Sequence, residues 1–251
     1  MIQLVDIYKK FGDGNVNESV LFDRFNFKLE KGDFVSVIGG NGSGKTTLLN
    51  IITGTVNADK GKILLECKDI TREKEFVRAR RIGRVFQDTK SGVADRMTVA
   101  ENMSLAHNKG SRYGLSKGIS KKNLSYYREL LSLAGLGLED RLNASVGALS
   151  GGQRQSLSLI MATMTPIDLL LLDEHTSALD PKTADQIMAL TERLIREKNL
   201  TAIMVTHNLR YALEYGNRLC MMKEGRIELD VRGEEKEKMP VSELLRLFDG
   251  A

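Results

Sequence analysis

At 251 residues, 41% of them hydrophobic, the chain is long enough to bury roughly 70 to 75% of its unfolded surface and needs no disulfide or metal to hold a core. Its 37 lysines and arginines stand against 33 acids, a net +4 that describes a mixed surface and excludes a strongly basic coat. The two cysteines, Cys67 and Cys220, have neither CxxC spacing nor a histidine companion, and read as reduced, buried thiols of a cytosolic protein.

The first six residues end on Asp6 and lack the basic-then-apolar order of a secretion signal, so no export leader is expected. The strongest apolar runs, at 34–38 and 167–172, fall far short of the ~20 residues that cross a bilayer. Any membrane role would therefore work by docking.

Phe34-Val-Ser-Val-Ile38 is short and β-branched, and it leads into a glycine-rich turn and a helical pattern that begins at Lys45. That order predicts a buried strand feeding a helix. The turn, Gly39-Gly-Asn41-Gly42-Ser43-Gly44-Lys45-Thr46, satisfies G-x-x-x-x-G-K-[ST] in the strand-to-helix context the motif requires. Glycines are needed because side chains would keep backbone N–H groups off the phosphates, and the helix start adds a positive dipole end. Lys45 can reach the β- and γ-phosphates, Thr46 offers a hydroxyl to Mg²⁺, and Thr47 is expected beside them.

Further strands are predicted at 62–66, 83–86, 169–173, 201–205 and 218–222, the last pairing with 226–231 through a hairpin at Glu224-Gly225. Between residues 88 and 164 strand signals give way to helical ones, beginning with the capping box Thr98-x-x-Glu101 ahead of Met103 and Leu105. Ser120 is expected to cap a helix whose apolar face is Leu124, Tyr127, Leu131 and Ala134, with Gly135 ending it in a left-handed position. Residues 108–118 are the most loop-like part of this helical lobe. The charged run 233–239 reads as a solvated linker ahead of a short amphipathic helix at 242–248.

Leu169-Leu-Leu-Leu172-Asp173-Glu174 is an apolar strand ending in two carboxylates that strand alternation points in different directions. Asp173 suits Mg²⁺, through its waters, and Glu174 suits the attacking water as a proton acceptor. An acidic pair in that place can equally be a helix cap; its company with the phosphate loop favours the catalytic reading.

Leu149-Ser150-Gly151-Gly152-Gln153 stands just ahead of a helix whose apolar residues Leu157, Ile160, Met161 and Met164 recur at helical spacing. Here the sequence resembles the ATP-binding subunits of ABC transporters, in which LSGGQ contacts the γ-phosphate of ATP held by the other subunit. The motifs follow the family's order across nearly the whole chain. The resemblance implies an α/β fold: a P-loop NTPase core of RecA-like type, an antiparallel β subdomain and an inserted helical signature subdomain. It would place the core and β subdomain at 1–87 and 165–232, the helical subdomain at 88–164, and a C-terminal linker and short helix at 233–251. It also assigns further residues. Gln87 matches the Q-loop glutamine that touches Mg²⁺ or water, Asp180 the D-loop residue at the dimer interface, with Pro181 opening a helix, and His207 the switch histidine that positions Glu174 and the water. Phe11 sits where the family stacks an aromatic on adenine, with Tyr8 as competitor. His107 and His175 receive no catalytic role. His175 is itself a departure, because the family most often has proline after the Asp-Glu pair.

The resemblance implies ATP and Mg²⁺ as cofactors and a head-to-tail homodimer holding two nucleotides. It further implies transmembrane permease subunits on separate chains, a solute-binding protein and a place on the cytoplasmic face of the membrane, peripheral to it. The form around His175 resembles a bacterial subgroup of importer ATPases with an uncharacterised or aromatic-amino-acid-type substrate. The rival from another class is a soluble ABC-type ATPase acting on nucleic acid or a protein assembly; the single nucleotide domain and the lack of zinc-type cysteines or a basic tract speak against direct nucleic-acid binding.

Overall fold

Short apolar runs bounded by glycine or acid become the buried strands of a parallel sheet in the computed structural model, which describes residues 1–12, 18–111 and 118–249. The first is β3 (Phe34–Gly39), every residue of it buried. It belongs to a six-stranded sheet with β6 (Ile82–Val85), β7 (Leu169–Asp173), β8 (Thr201–Val205), β9 (Arg218–Lys223) and β10 (Arg226–Arg232), in the order β10-β9-β3-β8-β7-β6. Only the β9–β10 pair is antiparallel. Its hairpin turns through Glu224 and Gly225, both at positive φ, where an added Cβ on Gly225 would lie 1.6 Å from the carbonyl oxygen of Leu21. Val205 pairs with Val37 on one side and Asp173 on the other, so β3, β7 and β8 end side by side. In open parallel sheets that carboxyl edge is where ligands bind.

A second, antiparallel sheet has the order β2-β1-β4-β5, from β1 (Ile2–Phe11), β2 (Ser19–Leu29), β4 (Lys60–Leu65) and β5 (Lys68–Asp69). The sequence located neither β1 nor β2. Their register shifts at three places, and Asp6 and Arg24 take positive φ, so bulges break the period-two alternation that marks a strand. The segment expected at 62–66 begins two residues earlier and stops at Leu65, because Glu66 and Cys67, at φ 50° and 60°, form the turn into β5. Cys67 is consequently exposed, which corrects its reading as a buried thiol. Cys220 is buried on β9, and burial pushes its thiol up to about 12. Phe22, Phe25 and Phe27 of β2 pack with Leu48, Ile51 and Ile52 of α1 (Lys45–Thr53) to fill the space between the sheets.

Helices α2 (Glu75–Arg78), α3 (Val99–His107), α4 (Leu124–Ser132) and α5 (Gly151–Thr163) precede β7, and α6 (Pro181–Glu197) and α7 (Leu209–Glu214) follow it. Val99, Met103, Tyr127, Leu131, Leu157 and Ile160 form a separate apolar cluster where α3, α4 and α5 meet. The capping box is formed as expected: the Glu101 amide donates to Thr98 Oγ1 (3.2 Å) and the Thr98 amide to Glu101 Oε2 (2.7 Å). Ser120, expected to cap α4, instead precedes a single 3₁₀ turn at Lys121–Asn123 and makes no side-chain capping bond. Gly135 does take the left-handed conformation, at φ 63°. Part of the expected loop at 108–118 lies outside the described residues.

The run read as a solvated linker is helical. In α8 (Gly233–Glu237) Lys236 is buried and donates to the carbonyls of Tyr215 and Gly216, just past the end of α7, a bond that charge composition could not reveal. The terminal helix α9 runs Val241–Asp249. Among the described residues no helix is long and apolar enough to cross a membrane.

Candidate nucleotide-binding site

At the end of β3 the chain turns at Gly39, where a Cβ would come within 2.2 Å of the Met222 carbonyl oxygen and 2.8 Å of Ser43 Oγ. A Cβ on Gly40 or Gly42 would meet nothing within 4 Å, so the crest of the loop, with exposed Asn41 between them, is open. Gly44, at φ 104°, rests against the ring of Phe22 and directs the chain into α1. Lys45 is buried, and its ammonium donates to the carbonyls of Gly39 (2.8 Å) and Gly40 (2.9 Å), with Ser43 Oγ at 3.4 Å. Burial draws the Lys45 ammonium below its ordinary value, and the Glu174 and Asp173 carboxylates oppose that shift. Thr46 is exposed at the helix start and Thr47 half-buried behind it.

The two carboxylates part as expected, but not by strand alternation: β7 ends at Asp173, and Glu174 turns away in a left-handed conformation. Asp173 Oδ2 accepts from Arg84 Nη2 of the neighbouring β6 at 2.8 Å. Glu174 stands at φ 46°, its amide donating to the Val205 carbonyl, and its Oε1 lies 2.6 Å from His207 Nε2, two residues beyond β8. The carboxylate and the imidazole thus already stand within hydrogen-bond distance at the carboxyl edge. Thr176, Ser177, Thr206 and Asn208 join them around a cleft of about 430 Å³.

Gln87 is exposed just beyond β6, and the preceding Phe86 carbonyl accepts from Gln155 of α5 at 3.1 Å, tying the two segments together. Ser150 caps α5: its hydroxyl accepts from the Gln153 amide, Gln153 Oε1 accepts from the Ser150 amide, and Gln153 Nε2 donates to the Leu136 carbonyl. These bonds stay within the helical region and leave Ser150 exposed at the start of its own helix. Gly152 has an internal reason to be glycine, since a Cβ there would come within 2.3 Å of Thr183 Cγ2 on α6, while Gly151 is less confined. Asp180 caps α6, accepting from the Thr183 amide at 3.1 Å, and its bonds to Thr183 hold its carboxyl below the usual range. Phe11 ends β1 with its ring 44% exposed and Lys9 Nζ 5.3 Å from its centroid; Tyr8, half-buried, carries Lys60 in the same way.

Two residues gain a part that sequence reasoning did not give them. Arg84 was visible as a lone charge within the otherwise apolar strand Ile82–Val85, but its partner is 89 residues away in the chain. His175 is fully buried behind Glu174, with Nε2 3.1 Å from Thr191 Oγ1. That hydroxyl donates to the Ile187 carbonyl (2.8 Å), so the imidazole must donate to it as the neutral Nε2–H form. Burial depresses the His175 pKa from 6.5 to about 4.

Below pH 6.5 the unfolded chain therefore takes a proton that the folded chain refuses until about pH 4. Stability should fall through that window by about 3 kcal/mol on account of this residue and level off below it. Urea unfolding at stepped pH, compared with His175→Leu, checks this. An equally steep acid slope in the variant would remove His175 as its cause.

A family model described as ABC transporter matches residues 22–177. The tyrosine transport ATP-binding protein of Clostridioides difficile (strain R20291) is 46% identical over 253 residues, covering 100% of each chain. Among solved structures, a dimeric post-hydrolysis ATP-binding cassette bound to ADP and Pi aligns with a TM-score of 0.79 at 29% identity, over 92% of this chain and 98% of its own. The ADP conformation of another ABC transporter cassette aligns at 0.80 and 28% identity, over 100% and 98%.

Proposed function

The chain belongs to the ABC transporter family and is an ATPase; from that premise we propose that two copies, arranged head to tail, bind two Mg-ATP and drive import of an aromatic amino acid through separate permease subunits. The observation that carries hydrolysis is the 2.6 Å contact between Glu174 and His207 at the carboxyl edge of the sheet. A base held by a partnered imidazole is fixed where a water beside the γ-phosphate would lie. The substrate class rests on the full-length similarity to a tyrosine transport ATP-binding protein.

In this reading Lys45 leaves the loop carbonyls for the β- and γ-phosphates, while the amides from Gly39 to Thr47 cradle them. Phe11 stacks on adenine. Thr46, Gln87 and Asp173 are hard oxygen donors of the kind Mg²⁺ takes, in a number that leaves room for phosphate oxygens and water. The ion would neutralise charge on the phosphates. Ser150, Gly151, Gly152 and Gln153 of the second copy close the other side of the γ-phosphate, and Asp180 lies at the seam. Moving such a dimer from mostly open to mostly closed takes about 5.5 kcal/mol of differential affinity, which two bridging nucleotides supply and hydrolysis removes.

Residues 88–164 would then turn as a lobe against the core. A cavity of about 230 Å³ beside Phe86, lined also by Ala106, Lys109, Met161 and Ala162, is where a permease's cytoplasmic segment would seat. The protein would sit peripherally on the cytoplasmic face of the cell membrane, with a solute-binding protein delivering cargo from the far side.

The test is to tag the chain in its native cell, solubilise membranes gently and identify what copurifies. A multi-spanning protein, with tyrosine uptake lost when the chain is deleted, is the expected result. Recovery from cytosol alone with ribosomal, repair or assembly proteins would overturn transport and leave the ATPase intact.

A further inference from the structure

Arg84 is held on three sides. Nη2 donates to Asp173 Oδ2 and Nη1 to Asn50 Oδ1 of α1, each at 2.8 Å, and the guanidinium carbon lies 4.7 Å from the centroid of the Phe86 ring. The side chains of Arg84 and Asp173 are 13% and 9% exposed. A buried ion pair is a weak source of stability, because an apolar pair of similar volume commonly does as well. The arginine therefore calls for a reason beyond holding β6 to β7.

Its placement supplies one. The guanidinium occupies one oxygen of Asp173 and leaves Oδ1 for another ligand. Lys45, the other cation of the site, directs its ammonium to Gly39, Gly40 and Ser43. The hydrogen-bonded positive charge on Asp173 thus comes from Arg84, with Lys45 acting on that carboxylate only through space, and the amide of Asn50 and the ring of Phe86 keep the guanidinium from swinging away.

Resting on the reading of Asp173 as a metal-binding carboxylate, we propose that Arg84 is a positioning residue that presents one oxygen of Asp173 to the cation and, as a fixed positive charge, makes the site take up a divalent ion only together with nucleotide. Asp173 alone would offer a bare cation a nearly buried negative charge. With Arg84 beside it, the pair is neutral, and phosphate oxygens must supply the missing attraction. The neutral Arg84–Asp173 pair would thus hold a divalent ion only while nucleotide is bound.

Mn²⁺ binding to the full chain, followed by the electron paramagnetic resonance signal of the free ion, tests this without turnover. In the parent, Mn²⁺ should bind weakly alone and well with ADP. Arg84→Met should tighten Mn²⁺ binding without nucleotide by about tenfold, and Arg84→Lys, which keeps the charge, should return it to the parental value. Should Arg84→Met fail to fold, Arg84→Gln carries the same expectation. Unchanged or weaker Mn²⁺ binding in the folded neutral variant overturns the proposal, as does a gain that survives Asp173→Asn in the same chain. The underlying reading is tested separately: it fails if Asp173→Asn alone leaves Mn²⁺ binding with ADP at the parental strength.

Discussion

Glu174→Gln should lower steady-state phosphate release by about 10²- to 10⁴-fold while leaving ATP binding within a few-fold of the parent. The substitution keeps the shape of the side chain and an oxygen that can accept from His207 Nε2, now 2.6 Å from the carboxylate. It removes the group that takes a proton from water. The left-handed backbone at residue 174 is as accessible to glutamine as to glutamate, so the turn and the Val205 bond should persist. With binding intact and hydrolysis blocked, the bridging γ-phosphates remain, and Mg-ATP should accumulate a closed dimer. Light scattering coupled to gel filtration reads this directly. A variant that binds ATP and stays monomeric would contradict the sandwich arrangement, whereas one that still turns over would contradict the role of Glu174.

The parts of this site legible in the sequence are those fixed by local rules. The phosphate loop is a strand, a turn and a helix in direct succession, and the parting of Asp173 and Glu174 is legible although its cause is the left-handed turn at Glu174 just past the strand. The box at Thr98–Glu101 closes within a single helical turn; the one at Ser150–Gln153 does so too but is not read as a cap from the sequence. What escaped depends on distant pairing or on interrupted periods. Arg84 finds Asp173 only because β6 lies beside β7. The β1 and β2 strands hide behind their bulges, and α8 hides behind a composition that would suit open solvent until one lysine finds the carbonyls past α7. Gly152 shows the reverse case, a motif residue whose structural demand, contact with Thr183, is separate from the role its motif suggests.

Lys45→Ala should weaken ATP binding by about 10²- to 10⁴-fold, because two hydrogen bonds from a charged donor contribute roughly 1.5 to 3 kcal/mol each. The ammonium now bridges the Gly39 and Gly40 carbonyls across the mouth of the loop, so the variant loses an internal clamp as well as a phosphate ligand. These two losses are separable. The clamp acts in the nucleotide-free protein and would show as a lower melting temperature without ligand. The phosphate contact would show as a smaller rise in melting temperature on adding ATP, since a ligand stabilises the folded state in proportion to the logarithm of its concentration over its dissociation constant. Lys45→Arg retains charge but brings a planar fork too wide for the space between two loop carbonyls, so it should recover little of the binding. A folded Lys45→Ala protein that binds fluorescent ATP as tightly as the parent would show that the backbone amides of the loop hold the phosphates unaided, and the lysine would then be a loop clamp alone.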